Sequence, residues 1–261
     1  MCGRYVTVSA IKTVEKRFDA VAVNPERFIP NTNVGAGALA PVITSAHPRE
    51  VHFFQFGFTP AWAKKNMYVL NARAEGDRNK SNDPLYTGSN DIVNKPMFRQ
   101  AIRSQRCLVI ADAFIEGPEI EKLSKPHVVY LRNKQRPFAM AGIYDCWQNL
   151  QSGEEVHSFA IITTVANAVL QKIGHHRSPV ILPRAYEQRW LDLNLSLAEV
   201  TAMLGPYAAE EMNAYPIDPA IKRPGANGLS LLDPIGERLF PETDSSFTQH
   251  VKLQGMGRRR G

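Results

Sequence analysis

Apolar positions fall into two rhythms along this chain. In TVSAIKTVEKRFDA (residues 7–20), Ile11, Val14 and Phe18 recur at helical spacing. That spacing predicts an amphipathic helix, with Ser9 or Thr7 as its cap. VHFFQFGF (51–58) and MYVLNA (67–72) read as strands, and CLVIADAF (107–114) reads as a strand buried on both faces. HVVYLRN (127–133), PFAMAGIYDCW (137–147) and EVHSFAIITT (155–164) are apolar, β-branched and aromatic, with turn signals KQRP and NLQSGE between them. They predict successive sheet strands joined by hairpins. MFRQAIRSQ (97–105), ANAVLQKI (166–173) and AYEQRWLDL (185–193) read as helices. SLAEVTAML (196–204) opens with Ser196 and carries Glu199 three positions later, the spacing of a capping box, and it stops at a Gly-Pro pair.

Two stretches lack either rhythm. Residues 76–94, GDRNKSNDPLYTGSNDIVN, are rich in Asn, Asp, Ser and Gly and predict a long surface loop, a length often tied to function. Beyond Tyr215 the chain turns rich in Pro and Gly. The expected organisation is one α+β domain over residues 2–217, built around a mostly antiparallel, barrel-like sheet with flanking helices, followed by an extended or partly disordered tail over 218–261.

Composition narrows the class. A chain of 261 residues that is 44% hydrophobic and 21% charged can bury a substantial core. No apolar run reaches the roughly 20 residues of a membrane span, and the amino terminus lacks the apolar stretch of a secretory signal, so a cytosolic location is expected. Cys2, Cys107 and Cys146 are too few and too scattered for a disulfide framework or a zinc cluster, and no cofactor or metal is expected. Cys107 and Cys146 sit in apolar strands and read as inert filler. The net charge of +6 favours a polyanionic partner, but Lys252, Arg258, Arg259 and Arg260 supply four of those charges. A nucleic-acid argument must rest on placed residues.

Four polar clusters lie at the ends of predicted strands: Cys2-Gly3-Arg4, NARAE (71–75), the Asp112 and Glu116 of ADAFIEG, and GHHRSPVIL (174–182). Each has a bland reading. Asn71 turns the chain, Arg73 pairs with Glu75 on the surface, Asp112 and Glu116 are solvated carboxylates, one histidine is structural, and Phe56 and Trp62 are core. Cys2 is the exception. Loss of Met1 would leave it with a free amine beside its thiol, and with pKa values of roughly 7.7–8.0 and roughly 8.5 both are partly nucleophilic near neutral pH. The same pair serves N-terminal-nucleophile hydrolases such as glutamine amidotransferases, several of which also begin MCG. That reading leaves NARAE and HHRSPVIL unexplained. A non-covalent basic DNA-binding module accounts for the arginines and leaves Cys2 unexplained.

MCGRY, FGFTPAW, NARAE, KPMFR, RCLVIADAFIE, FAMAGIYDCW, SFAIITTVAN and HHRSPVIL, in that order over residues 2–215, resemble the SRAP family, the SOS-response-associated peptidases that attach covalently to abasic sites in DNA. Two positions depart from the family's pattern: Gly117 follows Glu116 where tryptophan is usual, and Phe56 replaces the tryptophan of a Trp-Gly pair. The resemblance implies a thiazolidine crosslink between Cys2 and the opened deoxyribose aldehyde of a single-stranded abasic site, with self-removal of Met1. It assigns Glu116 to general acid/base work and His175 to orienting the sugar and assisting proton transfer. Asn71 would fix the attack geometry, and Arg4, Arg73 and Arg177 would hold flanking phosphates. Trp62 and Phe98 would stack on or wedge against neighbouring bases, although core packing accounts for Phe98 equally well.

Overall fold

The computed structural model describes residues 2–132 and 134–242; the basic end of the expected tail, residues 243–261, lies outside the described residues. In chain order the elements are β1 (Tyr5–Thr7), α1 (Ile11–Phe18), β2 (Val21–Ala22), β3 (Asn31–Val34), β4 (Leu39–Thr44), β5 (Glu50–Phe56) and β6 (Asn71–Arg73). Then come α2 (Ala101–Ser104), β7 (Arg106–Ala111), β8 (Ala113–Glu116), β9 (His127–Leu131), β10 (Phe138–Gln148) and β11 (Glu155–Val165). The chain finishes with α3 (Ala168–Ile173), β12 (Arg177–Pro179), β13 (Ile181–Leu182), α4 (Arg184–Leu191), α5 (Leu197–Ala202) and β14 (Met212–Pro216).

Five strands close on themselves. β11, β10, β7, β4 and β5 pair antiparallel in turn, and β5 returns to β11 with Ser158 opposite Gln55 and Phe159 opposite Phe56. A ring of five cannot alternate direction throughout, so one pair must be parallel, and β5–β11 is that pair. Closure leaves β7 paired on both sides, consistent with its uninterrupted burial from Arg106 to Ala111. β6 and β12 extend β11 at its far end. A second antiparallel sheet, ordered β14-β9-β8-β1-β3, holds the amino-terminal strand between β8 and β3.

Alternation along the strands sorts the core into three parts. Ile43, Leu108, Ile110, Ala139 and Ile162 pack with Val14 and Phe18 of α1 and Trp190 of α4. Val42, Val109, Met140, Phe159 and Ile161 pack with Cys2, Tyr5, Phe114 and Val129 of the second sheet. The other face of that sheet, including Val6, Ile115 and Tyr215, is covered by Ile217, Ile221 and Leu232. Among the described residues no helix is long and apolar enough to cross a membrane.

Several local expectations need correction. Residues 218–242 have little regular structure, yet they pack tightly: Ile221 and Leu232 are fully buried, and Asn33 Nδ2 donates to the carbonyls of Ile221 and Ala226 at 2.8 and 2.9 Å. The packed body therefore runs past 217. CLVIADAF is two strands, because Asp112 stops the first one. Its carboxylate accepts from the backbone N–H of Val8 and Ser9, at 2.6 and 2.8 Å, and from the Ser9 hydroxyl. Ser9 is thereby taken from its expected capping role, and Ala10 precedes α1 with no side-chain cap. The KQRP turn makes no hairpin: β9 pairs with β8 and β14, so this connection carries the chain from the second sheet into the barrel. The hairpin between β10 and β11 forms as expected, and α5 carries the capping box of Ser196 and Glu199.

Candidate functional site

The start of β1 runs beside the end of β8, since Ile115 N–H donates to the Arg4 carbonyl at 2.9 Å. That pairing sets Cys2, Gly3 and Arg4 against Glu116 and Gly117. A third contribution comes from beyond α3. Gly174 takes φ +83°, the left-handed conformation that ends a helix, and turns His175 back toward β8. The His175 ring then lies with Nδ1 2.8 Å from the Gly117 carbonyl and Nε2 3.4 Å from Glu116 Oε2. Gly3, Arg4, Arg73, Glu116, His175 and Lys122 are among the residues lining one cleft of about 650 Å³.

Proton positions follow from these partners. A carbonyl only accepts, so His175 Nδ1 carries the hydrogen and Nε2 faces Glu116. Burial pushes the Glu116 carboxyl up to about 8 and the His175 imidazole down to about 4. At neutral pH the pair is a protonated acid beside a neutral base rather than an ion pair. Glu116 Oε1 is buried and finds no hydrogen-bond partner among the described residues. A protonated carboxyl of this kind can act chemically as a proton donor.

Cys2 is 1% exposed in the chain that retains Met1, under the cleft rather than on its surface. Burial raises its thiol pKa well above the ordinary value, and the charge of nearby Glu116 adds to the shift. The thiol sits within the core cluster that includes Tyr5 and Phe114.

Two arginines of the cleft are held by fixed acceptors. Arg4 Nη1 donates to Asn33 Oδ1 at 2.6 Å. Arg73 donates to the Asn79 carbonyl at 2.9 Å and to Asn82 Oδ1 at 2.8 Å, both supplied by the long polar loop. That loop is irregular, as its composition predicts, and here it orients a guanidinium. Asn71 stands two residues before Arg73 on β6, opposite Ile161, so both side chains share one face of the strand. Asn71 does not line the cleft; its Oδ1 is buried with no hydrogen-bond partner among the described residues.

The remaining expected site residues are placed elsewhere. Arg177 is 1% exposed and donates to Glu75 Oε2 and the Thr163 carbonyl, both at 2.8 Å. It ties β12 to the end of β11 and does not reach a phosphate, which corrects its expected role. The Arg73–Glu75 surface pair does not form, because Glu75 is buried against Arg177. Phe98 packs on Phe58 with ring centroids 6.0 Å apart, the core reading. Trp62 is exposed and lines a separate depression of about 360 Å³ with Pro60 and Met97. Phe56, by contrast, is core, packed edge-on to Tyr5 and stacked on Phe159.

Sequence reading missed Lys122, Asn33 and the reason for Gly117. A side chain at 117 would collide with the Lys122 carbonyl, which approaches β8 where a Cβ would stand. The loop that brings Lys122 into the cleft therefore depends on glycine after Glu116.

Comparison with known proteins agrees with this layout. The sequence profile of SRAP, SOS response associated peptidase, matches residues 1–224. The abasic site processing protein YoaM of Bacillus subtilis is 30% identical over 89% of this chain and 98% of its own length. The abasic site processing protein HMCES of Gallus gallus is 27% identical over 73% of this chain and 62% of its own. A crystal structure of a protein from Bacteroides thetaiotaomicron superposes with a TM-score of 0.73 at 29% identity, covering 90% of this chain and 99% of that one. With a profile match across residues 1–224 and relatives of like layout over most of its length, this chain belongs to the SRAP family.

Proposed function

We propose that this protein captures abasic sites in single-stranded DNA through Cys2, made the first residue by removal of Met1. The names of its relatives, which are abasic site processing proteins, support the substrate. The observation that carries the chemistry is the neutral Glu116–His175 pair, at the cleft that also receives Gly3 and Arg4.

In this reading the Cys2 amine attacks C1 of the opened deoxyribose, and the carbinolamine loses water to give an imine. Protonated Glu116 supplies a proton to the ring oxygen as the ring opens, recovers one from the C1 hydroxyl that becomes the aldehyde, and gives it to the departing hydroxyl. His175, whose Nε2 faces Glu116, takes protons released from nitrogen. The thiol then adds to the imine carbon while its proton moves to the imine nitrogen, closing a thiazolidine. The balance is aldehyde plus aminothiol giving thiazolidine plus water, and no strand bond breaks. Ring closure is intramolecular, which favours it strongly. Asn71, whose buried Oδ1 lacks a donor, accepts from the new terminal amine, and Arg4 and Arg73 bind the flanking phosphates. A single strand is the substrate because its sugar swings freely into a cleft.

The test mixes mature protein with a uracil-containing single-stranded oligonucleotide and a uracil glycosylase. The expected product is a heat-stable adduct whose mass equals protein plus abasic DNA less one water. Cys2→Ala and a variant that retains Met1 form none. Adduct in both variants overturns the thiazolidine, and equal capture from a paired abasic duplex overturns the single-strand preference.

A further inference from the structure

The far end of the barrel carries a second constellation that the chemistry above does not use. Cys146 on β10 lies directly opposite His157 on β11, and Glu155 is two residues before His157, so all three project from one face. Their donor atoms lie within 4.8 Å of one another, with Cys146 Sγ 3.8 Å from His157 Nε2. Phe54 of β5 stacks on the His157 ring at 4.9 Å and fixes its plane. The three residues open on a depression of about 640 Å³ that also holds His47 and His52. Thr163, which pairs with Arg73, is six residues farther along β11 than His157, about 20 Å at the rise of an extended strand. This site is therefore separate from the cleft.

We propose that Cys146, Glu155 and His157 bind a borderline-soft divalent cation, zinc by preference, as a clip across the β10–β11 hairpin beside its turn. Zn–S and Zn–N bonds at tetrahedral angles separate sulfur from nitrogen by about 3.6 Å, close to the gap found here. A thiolate, an imidazole and a carboxylate leave a fourth position for water, and this donor set selects zinc over magnesium or calcium. Binding replaces the Cys146 S–H bond by an S–metal bond and releases that proton to solvent. Asp145 beside Cys146 and Glu155 across the strand pair add negative charge that attracts a cation. The neighbouring set of His47, Glu50 and His52 is the weaker candidate, since it lacks sulfur and His52 Nε2 already engages Glu50 at 2.9 Å.

The site is tested on the full chain by titration with Co²⁺ as a spectroscopic probe and by Zn²⁺ competition. The expected result is one equivalent of Co²⁺ giving a sulfur-to-cobalt charge-transfer band that Zn²⁺ abolishes. Cys146→Ser loses the band, and Cys146→Ser and His157→Ala each weaken binding by more than about 100-fold, beyond the 10–100-fold typical of losing an outer partner. His47→Ala leaves the band intact. Zn²⁺ should also raise the melting temperature of the unmodified chain and not that of Cys146→Ser. Absence of a band, a band that survives Cys146→Ser, or one lost with His47→Ala but kept in His157→Ala overturns the assignment. DNA plays no part in these measurements, so their outcome is independent of the crosslinking chemistry.

Discussion

Replacing Glu116 with glutamine should make the protein more stable and less active. The unfolded glutamate titrates near 4.5 and the folded one near 8. Between those values the native state keeps a proton that the unfolded chain has released, so this group lowers stability as pH rises, by up to about 1.4 kcal/mol per pH unit. By pH 7 the loss amounts to about 3 kcal/mol, and above pH 8 it levels off near 5 kcal/mol. His175 works in the opposite sense. Its folded value near 4 lies below the unfolded 6.5, so the unfolded chain gains a proton first and stability falls as pH drops through that window. The two slopes offset each other between about pH 4.5 and 6.5, and the Glu116 slope stands alone from 6.5 to 8. Glutamine mimics the protonated acid and cannot ionise. Glu116→Gln should therefore gain about 3 kcal/mol at pH 7, change little at pH 4, and lose the decline from pH 6.5 to 8. Urea unfolding across a pH series measures this directly, and parallel curves for the two proteins over pH 4.5–8 would refute the buried, protonated carboxyl. The same variant should crosslink at least about 100-fold more slowly, the usual contribution of a positioned proton donor.

Arg73→Ala should leave the fold intact and reduce the slope of log K against log salt for single-stranded DNA by about 0.7, the value for one phosphate contact. Arg177→Ala should instead cost about 3–5 kcal/mol of stability by stranding Glu75; an unchanged melting temperature with weakened DNA binding would return Arg177 to the DNA surface. Gly117→Ala should displace the loop carrying Lys122 and slow crosslinking, whereas a rate equal to that of the unaltered chain would show that this approach has no role at the cleft. Truncation after residue 217 removes Ile221 and Leu232 from the core at roughly 1.5–3 kcal/mol each, read by urea unfolding, and a truncated chain as stable as the whole would restore the expected boundary.

Periodicity located the long strands because β7, β10 and β11 carry unbroken runs of apolar side chains that only a two-sided core accommodates. It could not show which strands pair. KQRP looks like a hairpin turn, yet β9 finds its partners in β8 and β14, and only tertiary pairing decides that. Glu116, His175, Arg4 and Arg73 were readable as a set because the family's motifs name them together. Arg177 belongs to the same motif, but its partner Glu75 lies far away in sequence, and nothing local says that an arginine beside two histidines points inward. Cys146 failed for a different reason. Its strand is apolar near the barrel's middle and becomes half-exposed toward its end, so a cysteine there reads as filler until His157 is seen opposite.

The grip on Arg4 has a temporal side. Asn33 accepts from its guanidinium, Lys222 offers a carbonyl at 3.5 Å, and the strand that follows Arg4 lies against β8. On a ribosome Arg4 is polymerised before all of these partners, Asn33 and β8 following in turn and Lys222 coming 218 positions later. A nascent chain thus holds Arg4 without the contacts that later fix it, and the cleft it lines is complete only after His175 and Lys222 have been added.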